Sequence, residues 1–445
     1  MAYYILWHNA SLFALNCVFA GRVLNTICAH ARAVVENDKK ALRMINSTGL
    51  QSREMKYMNT EQTTGGAPAW CEQLPDGEPA AVWHSEAGFA APTAIEYADD
   101  TTRADQAMKK MRNGIGLLWR GDFQNGRQLL QALGRRLDRK TKTANNAAEE
   151  PLVARFHRYR MQQAQRARLL GLVLIRMESD NTIALRRAPD WQQALLQVYG
   201  PAHPPMLVSL RELLGVVGAY EWRRKGVPIA NCDFRIHPHY GVFSPSRAEY
   251  LTLVMQAALP ENCHSAFDIG TGTGVLSILL AKRGIARIIA TDSSPLAVAC
   301  AQENVDRLQL GDQISVQERV FFPEGKADLL VCNPPWLPGK VTSSLDAAVY
   351  DPNEQMLQGY LQNARQHLNP GGQIWLIMSD LAQLLGLRAP DALVRYFSNN
   401  GLRVMAVYEA KPTHARASDG TDPLHEARAR ETTSLWCLAP IDTEN

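Results

Sequence analysis

The chain has 445 residues, 46% of them hydrophobic, which is long enough for two or more domains with sizeable cores. Its net charge is only +3, from 47 basic and 44 acidic residues, but the charge is unevenly distributed. No run of eighteen apolar residues occurs, so no membrane span is predicted. The eight cysteines are scattered without a CxxC pair, and no His cluster has metal-ligand spacing. We therefore expect reduced thiols, a cytoplasmic protein and no metal site.

The first hundred residues contain two segments of different composition. Residues 1–57 are partly apolar and aromatic but lack the positively charged start of a signal peptide. We interpret them as a doubtful or disordered extension and expect translation to begin near Met58. Residues 58–99 are rich in Gly, Pro, Ala and acidic residues, which predicts a loop-rich segment.

Residues 100–225 are predicted to form a mainly helical accessory domain. Apolar residues recur at roughly helical spacing over 103–139, 152–177 and 207–220, so we predict a helix in each of these stretches. Residues 103–168 carry 16 Lys/Arg against 5 Asp/Glu. This excess favours a polyanionic partner, although a solvated helical face produces the same pattern.

From residue 226 onward, strand-like runs alternate with helical ones, which predicts βαβ units and a mostly parallel, Rossmann-like sheet. We predict seven strands, at 266–269, 287–291, 314–316, 329–331, 373–378, 402–408 and 433–438. The last of them can pair antiparallel, because it follows a long loop. Residues 226–445 are thus predicted to be one α/β domain whose ligands bind at the carboxyl ends of the strands.

A glycine-rich loop follows the first predicted strand. Its residues of interest are Asp268, Gly270, Thr271, Gly272 and Gly274. Three glycines at alternate positions let the backbone turn sharply and lie close to a ligand. The spacing differs from G-x-G-x-x-G, which weakens a pyrophosphate interpretation and disfavours a nicotinamide dehydrogenase.

Asp292 ends the second predicted strand, 22 residues after Gly270. A carboxylate at that position can accept both hydroxyls of a ribose. The alternative is that it caps the following helix, a role for which Ser293 and Ser294 compete.

The fourth predicted strand ends in a stiff corner made of Asn333, Pro334, Pro335 and Trp336. Proline has no N–H and a fixed φ, so this segment neither continues a ladder nor starts a helix at once. The corner can hold an amide oxygen, a backbone carbonyl and an aromatic face in one place, which suits a planar –NH2 group. A plain strand-ending turn is the alternative.

Together these motifs resemble those of class I S-adenosylmethionine-dependent methyltransferases with an (N/D)-P-P-(Y/F/W) signature. Release-factor glutamine methyltransferases, small-domain ribosomal RNA guanine methyltransferases and adenine-N6 enzymes carry this signature. The segment 240–245, Tyr-Gly-Val-Phe-Ser-Pro, resembles the loop that such enzymes place before the first strand. The resemblance covers about half of the chain, residues 230–440. Trp336 departs from the commoner Tyr or Phe.

The resemblance implies a role for each motif residue. Asp268 and the loop of Gly270, Thr271, Gly272 and Gly274 would hold the methionine part of S-adenosyl-L-methionine. Asp292 would take the ribose hydroxyls, with Ser293 near the adenine edge. Asn333 and the carbonyl of Pro334 would accept the two N–H bonds of the acceptor amino group, Pro335 would stiffen the corner, and Trp336 would stack on the acceptor.

The acceptor itself is left open by the sequence. We favour a nucleobase amine in RNA, ribosomal or transfer, because of the basic stretch. A glutamine side chain of a translation protein offers the same geometry and is the main alternative. A small-molecule amine and a non-catalytic nucleic-acid-binding module are further alternatives; the intact Asp268, Asp292 and Asn333 argue against the last.

Overall fold

The computed structural model describes residues 81–144, 150–245, 247–413 and 418–441. The expectation for residues 1–57 falls outside this part of the chain. Within it, no helix combines the length and the apolar character of a membrane span. The same residues contain no group of three or more His, Cys, Asp or Glu arranged to hold a metal ion.

The amino-terminal part of the described chain is built on a five-stranded sheet with the order β1-β5-β4-β3-β2. The strands are β1 Val82–Trp83, β2 Ala94–Ala98, β3 Ile115–Trp119, β4 Val173–Met177 and β5 Met206–Ser209. The helices are α1 Ala104–Arg112, α2 Phe123–Ala144, α3 Leu152–Leu170, α4 Gln192–Tyr199 and α5 Leu210–Lys225. Strands β2, β3 and β4 are parallel neighbours, and β5 runs antiparallel to β4.

This sheet corrects several predictions. Helices make up most of the region, but the helix predicted over 103–139 is interrupted by β3, and that predicted over 152–177 ends in β4. The helix predicted over 207–220 likewise begins as β5, and β1 and β2 replace part of the expected loop. Leu117 and Leu118 explain the first error: they are buried in clusters on opposite faces of the sheet, so their apolar run imitates a helical pattern.

The second sheet has seven strands in the order β10-β9-β8-β11-β14-β16-β15, with only β16 antiparallel to its neighbours, as predicted. Its strands are β8 Ser265–Ile269, β9 Arg287–Asp292, β10 Ile314–Glu318, β11 Ala327–Cys332, β14 Leu368–Ser379, β15 Leu402–Ala410 and β16 Thr433–Pro440. Short strand pairs are formed by β6 Val227–Pro228 with β7 Arg235–Ile236, and by β12 Leu337–Pro338 with β13 Tyr350–Asp351.

Helices cover both faces of the seven-stranded sheet. They are α6 Glu249–Gln256, α7 Val275–Lys282, α8 Pro295–Arg307, α9 Ser344–Ala347, α10 Gln355–Ala364, α11 Leu381–Leu384, α12 Ala392–Asn399 and α13 His425–Arg430, with 3-10 turns at Pro352–Glu354 and Arg365–His367. Buried apolar clusters lie on each face. Residues 275–281 of helix α7 are all buried, because the helix is enclosed between the sheet and α6.

Helix α3 of the amino-terminal region packs against the seven-stranded part of the molecule. Its Phe156 is buried with Leu337 and Tyr350, which pair with each other just after the Asn-Pro-Pro-Trp corner. Arg160 of the same helix donates to the Lys340 carbonyl at 2.6 Å, and its guanidinium lies 3.8 Å from the Tyr350 ring centroid. Helix α3 therefore contacts the segment that follows the predicted acceptor corner.

Candidate active site

Three neighbouring strands bring the predicted motifs together at one sheet edge. In the strand register, Ile269 is level with Thr291 on one side and with Cys332 on the other. Gly270 and Asn333 directly follow strands β8 and β11, and Asp292 is the last residue of β9. The glycine loop, the acidic residue and the corner therefore adjoin one another, as expected for the carboxyl edge of a parallel sheet.

The glycine loop adopts a conformation that only glycine takes readily. Gly270, Gly272 and Gly274 have φ values of +72°, +57° and +80°. The Gly270 N–H donates to the Thr291 carbonyl at 2.8 Å, which holds the loop across the neighbouring strand. A Cβ on Gly274 would lie 3.3 Å from Ala301, whereas one on Gly272 would meet nothing within 4 Å. The loop is thus packed on its helix side and open at Gly272.

Asp268 forms hydrogen bonds with the glycine loop and with helix α7. It is fully buried, and its Oδ2 accepts from the Thr271 hydroxyl at 2.7 Å, the Ser277 hydroxyl at 2.7 Å and the Ser277 N–H at 3.1 Å. Its Oδ1 is buried and has no hydrogen-bond partner in the described chain. Burial raises the pKa of this carboxyl, against the effect of its hydrogen bonds. The sequence analysis did not single out Ser277, although a serine inside the apolar run of α7 indicates a buried hydrogen bond.

Asp292 joins the glycine loop to the second strand. Its Oδ2 accepts from the Gly272 N–H at 3.0 Å, and its Oδ1 accepts from the Ser294 N–H at 2.9 Å. Ser294 caps helix α8, because its hydroxyl accepts from the Ala297 N–H. The alternative role of Asp292 as the helix cap is therefore wrong. Ser293, the next residue, is exposed.

The loop at 240–245 lies beside the same helix. Its Val242 is buried against Ala297 and Cys300 of α8. The Ser244 hydroxyl is also buried and has no hydrogen-bond partner among the described residues. This loop therefore runs past the helix that follows Asp292.

The corner after β11 is ordered by an internal hydrogen bond. Pro334 is buried, while Asn333, Pro335 and Trp336 are half-buried. The indole N–H of Trp336 donates to the side-chain oxygen of Asn333 at 2.9 Å. The indole is therefore tied to the residue that was expected to bind the acceptor amino group.

Residues distant in sequence hold Trp336 from both sides. The Arg247 guanidinium lies 5.0 Å from the indole ring centroid. It is bound by Glu431, whose carboxylate is fully buried and lies 2.9 and 3.3 Å from it. The Arg388 guanidinium donates to the Trp336 carbonyl at 3.3 Å and to Glu354 at 2.5 Å. Sequence reasoning missed these residues, since only folding brings them to the corner.

A strained turn connects the corner to the glycine loop. Asn353 and Glu354 have φ values of +55° and +58°, which are unusual for residues with side chains. Asp351 accepts from the Met356 N–H at 3.0 Å, and the Met356 Cε would lie 3.1 Å from a Cβ on Gly270. Backbone strain of this kind is frequent beside functional sites.

These features fit a nucleoside carrying a charged amino acid. The open backbone at Gly272 leaves room for a ligand, and the unpartnered oxygen of Asp268 suits a positively charged amino group. Asp292 lies at the second strand end, where nucleotide-binding sheets hold ribose hydroxyls. The site thus suits S-adenosylmethionine.

A seven-stranded sheet with this edge is that of a class I S-adenosylmethionine-dependent methyltransferase. In agreement, residues 233–400 match the family model described as the methyltransferase small domain. The match covers both the glycine loop and the Asn-Pro-Pro-Trp corner, so the cofactor of this fold is S-adenosyl-L-methionine.

The chain is similar to proteins with different acceptors. It is 33% identical over 138 residues to a release factor glutamine methyltransferase of Cereibacter sphaeroides, covering 28% of this chain and 49% of that protein. It is 29% identical over 168 residues to the ribosomal RNA small subunit methyltransferase C of Mannheimia succiniciproducens, covering 37% and 45%. The chain thus spans about half the length of these two curated relatives. The crystal structure of a ribosomal protein L11 methylase from Lactobacillus delbrueckii subsp. bulgaricus aligns with a TM-score of 0.33 at 18% identity, covering 48% of this chain and 90% of that one.

Proposed function

We propose that the chain transfers the methyl group of S-adenosylmethionine to the exocyclic amino group of a base in RNA. The observation that carries the transfer is the strand register, which sets the open glycine loop directly beside the Asn333 corner. A planar amino group held at the corner would then lie next to the methyl donor held at the loop. Positioning of this kind contributes on the order of 7–11 kcal/mol to reactions of two bound groups.

The proposed chemistry needs hydrogen-bond acceptors and no strong base. The cofactor, when bound, would supply a methyl group from its sulfonium and leave as the neutral thioether, and the methylated nitrogen would release one N–H proton to solvent. An amide or aniline-like nitrogen has its lone pair delocalised into the neighbouring π-system. The Asn333 oxygen and the Pro334 carbonyl would each accept one N–H bond, which turns the lone pair out of that plane. Fixed dipoles at these two positions also stabilise the charge that develops on the nitrogen.

The choice of RNA as acceptor is supported by a basic surface on neighbouring helices. We define the three-helix basic surface as the exposed side chains Lys109, Arg112, Arg135, Arg136 and Arg168. They stand on α1, α2 and α3, and α2 packs against both of the others. Helix α3 also contacts the segment after the corner through Phe156 and Arg160. RNA bound along this surface would reach the corner, and its phosphates would match the positive charge.

A protein glutamine is the second candidate acceptor. Its side-chain amide offers the same two N–H bonds, and release factor glutamine methyltransferases are among the similar proteins. The basic surface has no evident use in that reaction, since a single glutamine side chain carries no charge to match it. We therefore place RNA first.

The two acceptors are separated by labelling. Purified full-length protein and tritiated-methyl cofactor are added to an extract of a strain that lacks the gene, and the products are treated with RNase or with protease. We expect RNase to release the label and protease to leave it bound. Label that survives RNase and is released by protease would assign the acceptor to a protein. A reaction with heat-inactivated enzyme gives the background.

A further inference from the structure

The Trp336 indole forms a hydrogen bond with the group that is expected to grip the acceptor. We propose that Trp336 is a positioning residue, which fixes the orientation of the Asn333 carboxamide through its indole N–H. The inference rests on the proposed function, because it assigns Trp336 a role in amino-group methylation. It differs from the stacking role that the sequence implied, since it depends on the N–H and not on the ring face.

The geometry gives this contact a definite effect. A terminal carboxamide rotates over a broad range and can present either its oxygen or its NH2 group to the acceptor. Only the oxygen can accept an N–H bond of a substrate amine. The indole N–H is a donor only, so at 2.9 Å it bonds the oxygen of Asn333 and disfavours the flipped orientation. The carboxamide oxygen has two lone pairs, so one remains for the acceptor.

The indole is itself held in place, as a positioning group must be. Arg247 lies over one ring face, and this arginine is bound by the buried Glu431, which also accepts from the Ser379 hydroxyl at 2.7 Å. Burial opposes the negative charge of Glu431, but Arg247 and the Ser379 hydrogen bond outweigh it and lower the pKa of this carboxyl. Arg388, which is buried, donates to the Trp336 backbone carbonyl. Trp336 therefore links the Asn333 carboxamide to the ion pairs of Arg247 with Glu431 and of Arg388 with Glu354.

Among the aromatic residues used at this corner, tryptophan alone has a ring N–H. Phenylalanine has no polar atom, and the tyrosine hydroxyl lies at the far end of its ring. Trp336→Phe therefore keeps an aromatic ring at the corner and removes the donor. A matched control is Trp83→Phe, which removes an indole donor that bonds the Phe89 carbonyl at 2.9 Å in the five-stranded sheet.

The hydrogen bond can be observed without measuring activity. In a proton–nitrogen NMR spectrum, the indole resonance of Trp336 is identified by its loss in Trp336→Phe. We expect this resonance to move upfield in Asn333→Ala, which removes the acceptor, and downfield in Asn333→Asp, which offers a stronger one. A resonance that stays in place in both variants would overturn the contact, whatever the substrate of the enzyme is.

A double-mutant cycle tests the positioning role itself. We expect Trp336→Phe to lower kcat about tenfold in the wild-type background, with cofactor affinity unchanged, and less than about twofold in Asn333→Ala. Equal losses in the two backgrounds would show that Trp336 acts independently of Asn333, by stacking or by packing, and would overturn the inference. If the wild-type protein itself fails to methylate RNA, the proposed function fails, while the NMR result still decides the contact.

Discussion

The two sheets of this chain both contain neighbouring parallel strands, yet their carboxyl edges are built differently. In the seven-stranded sheet, Gly272 opens into space and Asp268 keeps an unpartnered oxygen. In the five-stranded sheet, the loops after β2 and β3 are packed together. A Cβ on Gly121 would lie 2.5 Å from the Asp100 carboxylate, and the buried Asp122 accepts from the exposed Arg187 at 2.6 and 2.8 Å.

Parallel strands alone therefore do not make a binding site. In the five-stranded sheet, the polar groups at the strand ends satisfy one another, which stabilises the edge and leaves little for a ligand. In the seven-stranded sheet, positive-φ glycines keep the backbone open and the buried carboxylate is only partly satisfied. Variants in both regions of the chain test this contrast.

Removal of the corner amide is expected to have the largest effect. In Asn333→Ala, methyl transfer should fall at least about a hundredfold, because a preorganised dipole at the reacting nitrogen is lost. Cofactor affinity, measured by calorimetry, should be largely retained. The matched variant in the other sheet is Asn125→Ala, which removes a hydrogen bond to Asp100. Asn125→Ala should transfer methyl groups at the wild-type rate. A loss of methyl transfer comparable to that of Asn333→Ala would contradict the difference between the two sheets.

A methyl group added to each loop should act on different properties. In Gly272→Ala, the Cβ enters the open space, so cofactor affinity should fall on the order of tenfold, or about 1.4 kcal/mol. Unfolding free energy should fall by only about 1 kcal/mol, from the positive φ. In Gly121→Ala, the Cβ meets Asp100, so stability should fall by about 1–3 kcal/mol without weakening binding. Urea unfolding measures the stability of each variant, and calorimetry measures its cofactor affinity. Weaker cofactor binding in Gly121→Ala, together with the larger loss of stability in Gly272→Ala, would contradict the difference between the two sheets.

The basic surface should contribute affinity for RNA and not turnover. In the double variant Arg135→Gln, Arg136→Gln, the slope of log affinity against log salt should become shallower by about 1–2, with kcat retained. Arg395→Gln is the control, because Arg395 is exposed on α12, away from this surface, and paired with Asp391. Filter binding over a range of salt measures both. Equal slopes for the wild type and the double variant would remove the basic surface from RNA binding.

The smallest effect concerns the contact between α5 and α8. Burial opposes the charge of Glu303, but hydrogen bonds from Arg307, Arg223 and His239 outweigh it and lower the pKa of this carboxyl to about 2, from its usual 4.5. A lowered pKa stabilises the fold above pH 4.5, and this contribution is lost as the pH falls towards 2. The stability difference between wild type and Glu303→Gln should therefore shrink from pH 6 to pH 3. A difference that grows on acidification would contradict this assignment.

Much of the seven-stranded sheet could be predicted from sequence, because its signals are local. The glycines of 270–274 and the prolines after Asn333 follow short apolar strands, and the alternation of strands and helices sets their order. The five-stranded sheet could not be predicted in the same way. The run Ile115–Trp119 lies next to long helices, and its buried residues on both faces give no alternation of apolar and polar side chains.

The supporting residues of the site could not be predicted either. Arg247 and Glu431 are 184 positions apart, and neither carries a local signal of its partner. The bond from Trp336 to Asn333 depends on side-chain rotation, which the tetrapeptide alone does not specify. The sequence therefore indicated candidate groups for ligand contact, while the groups that orient those candidates required the tertiary structure.

We propose that the corner beside the glycine loop directs methylation to an exocyclic amino group of RNA. The most direct measurement is the position of the methyl group in the product. RNA from a strain that lacks the gene is treated with purified protein and deuterated-methyl cofactor, digested to nucleosides and examined by mass spectrometry. We predict a deuterated methyl on an exocyclic nitrogen of one base. A label on a ring carbon or a ribose oxygen, or one found only on protein glutamine, would contradict the claim.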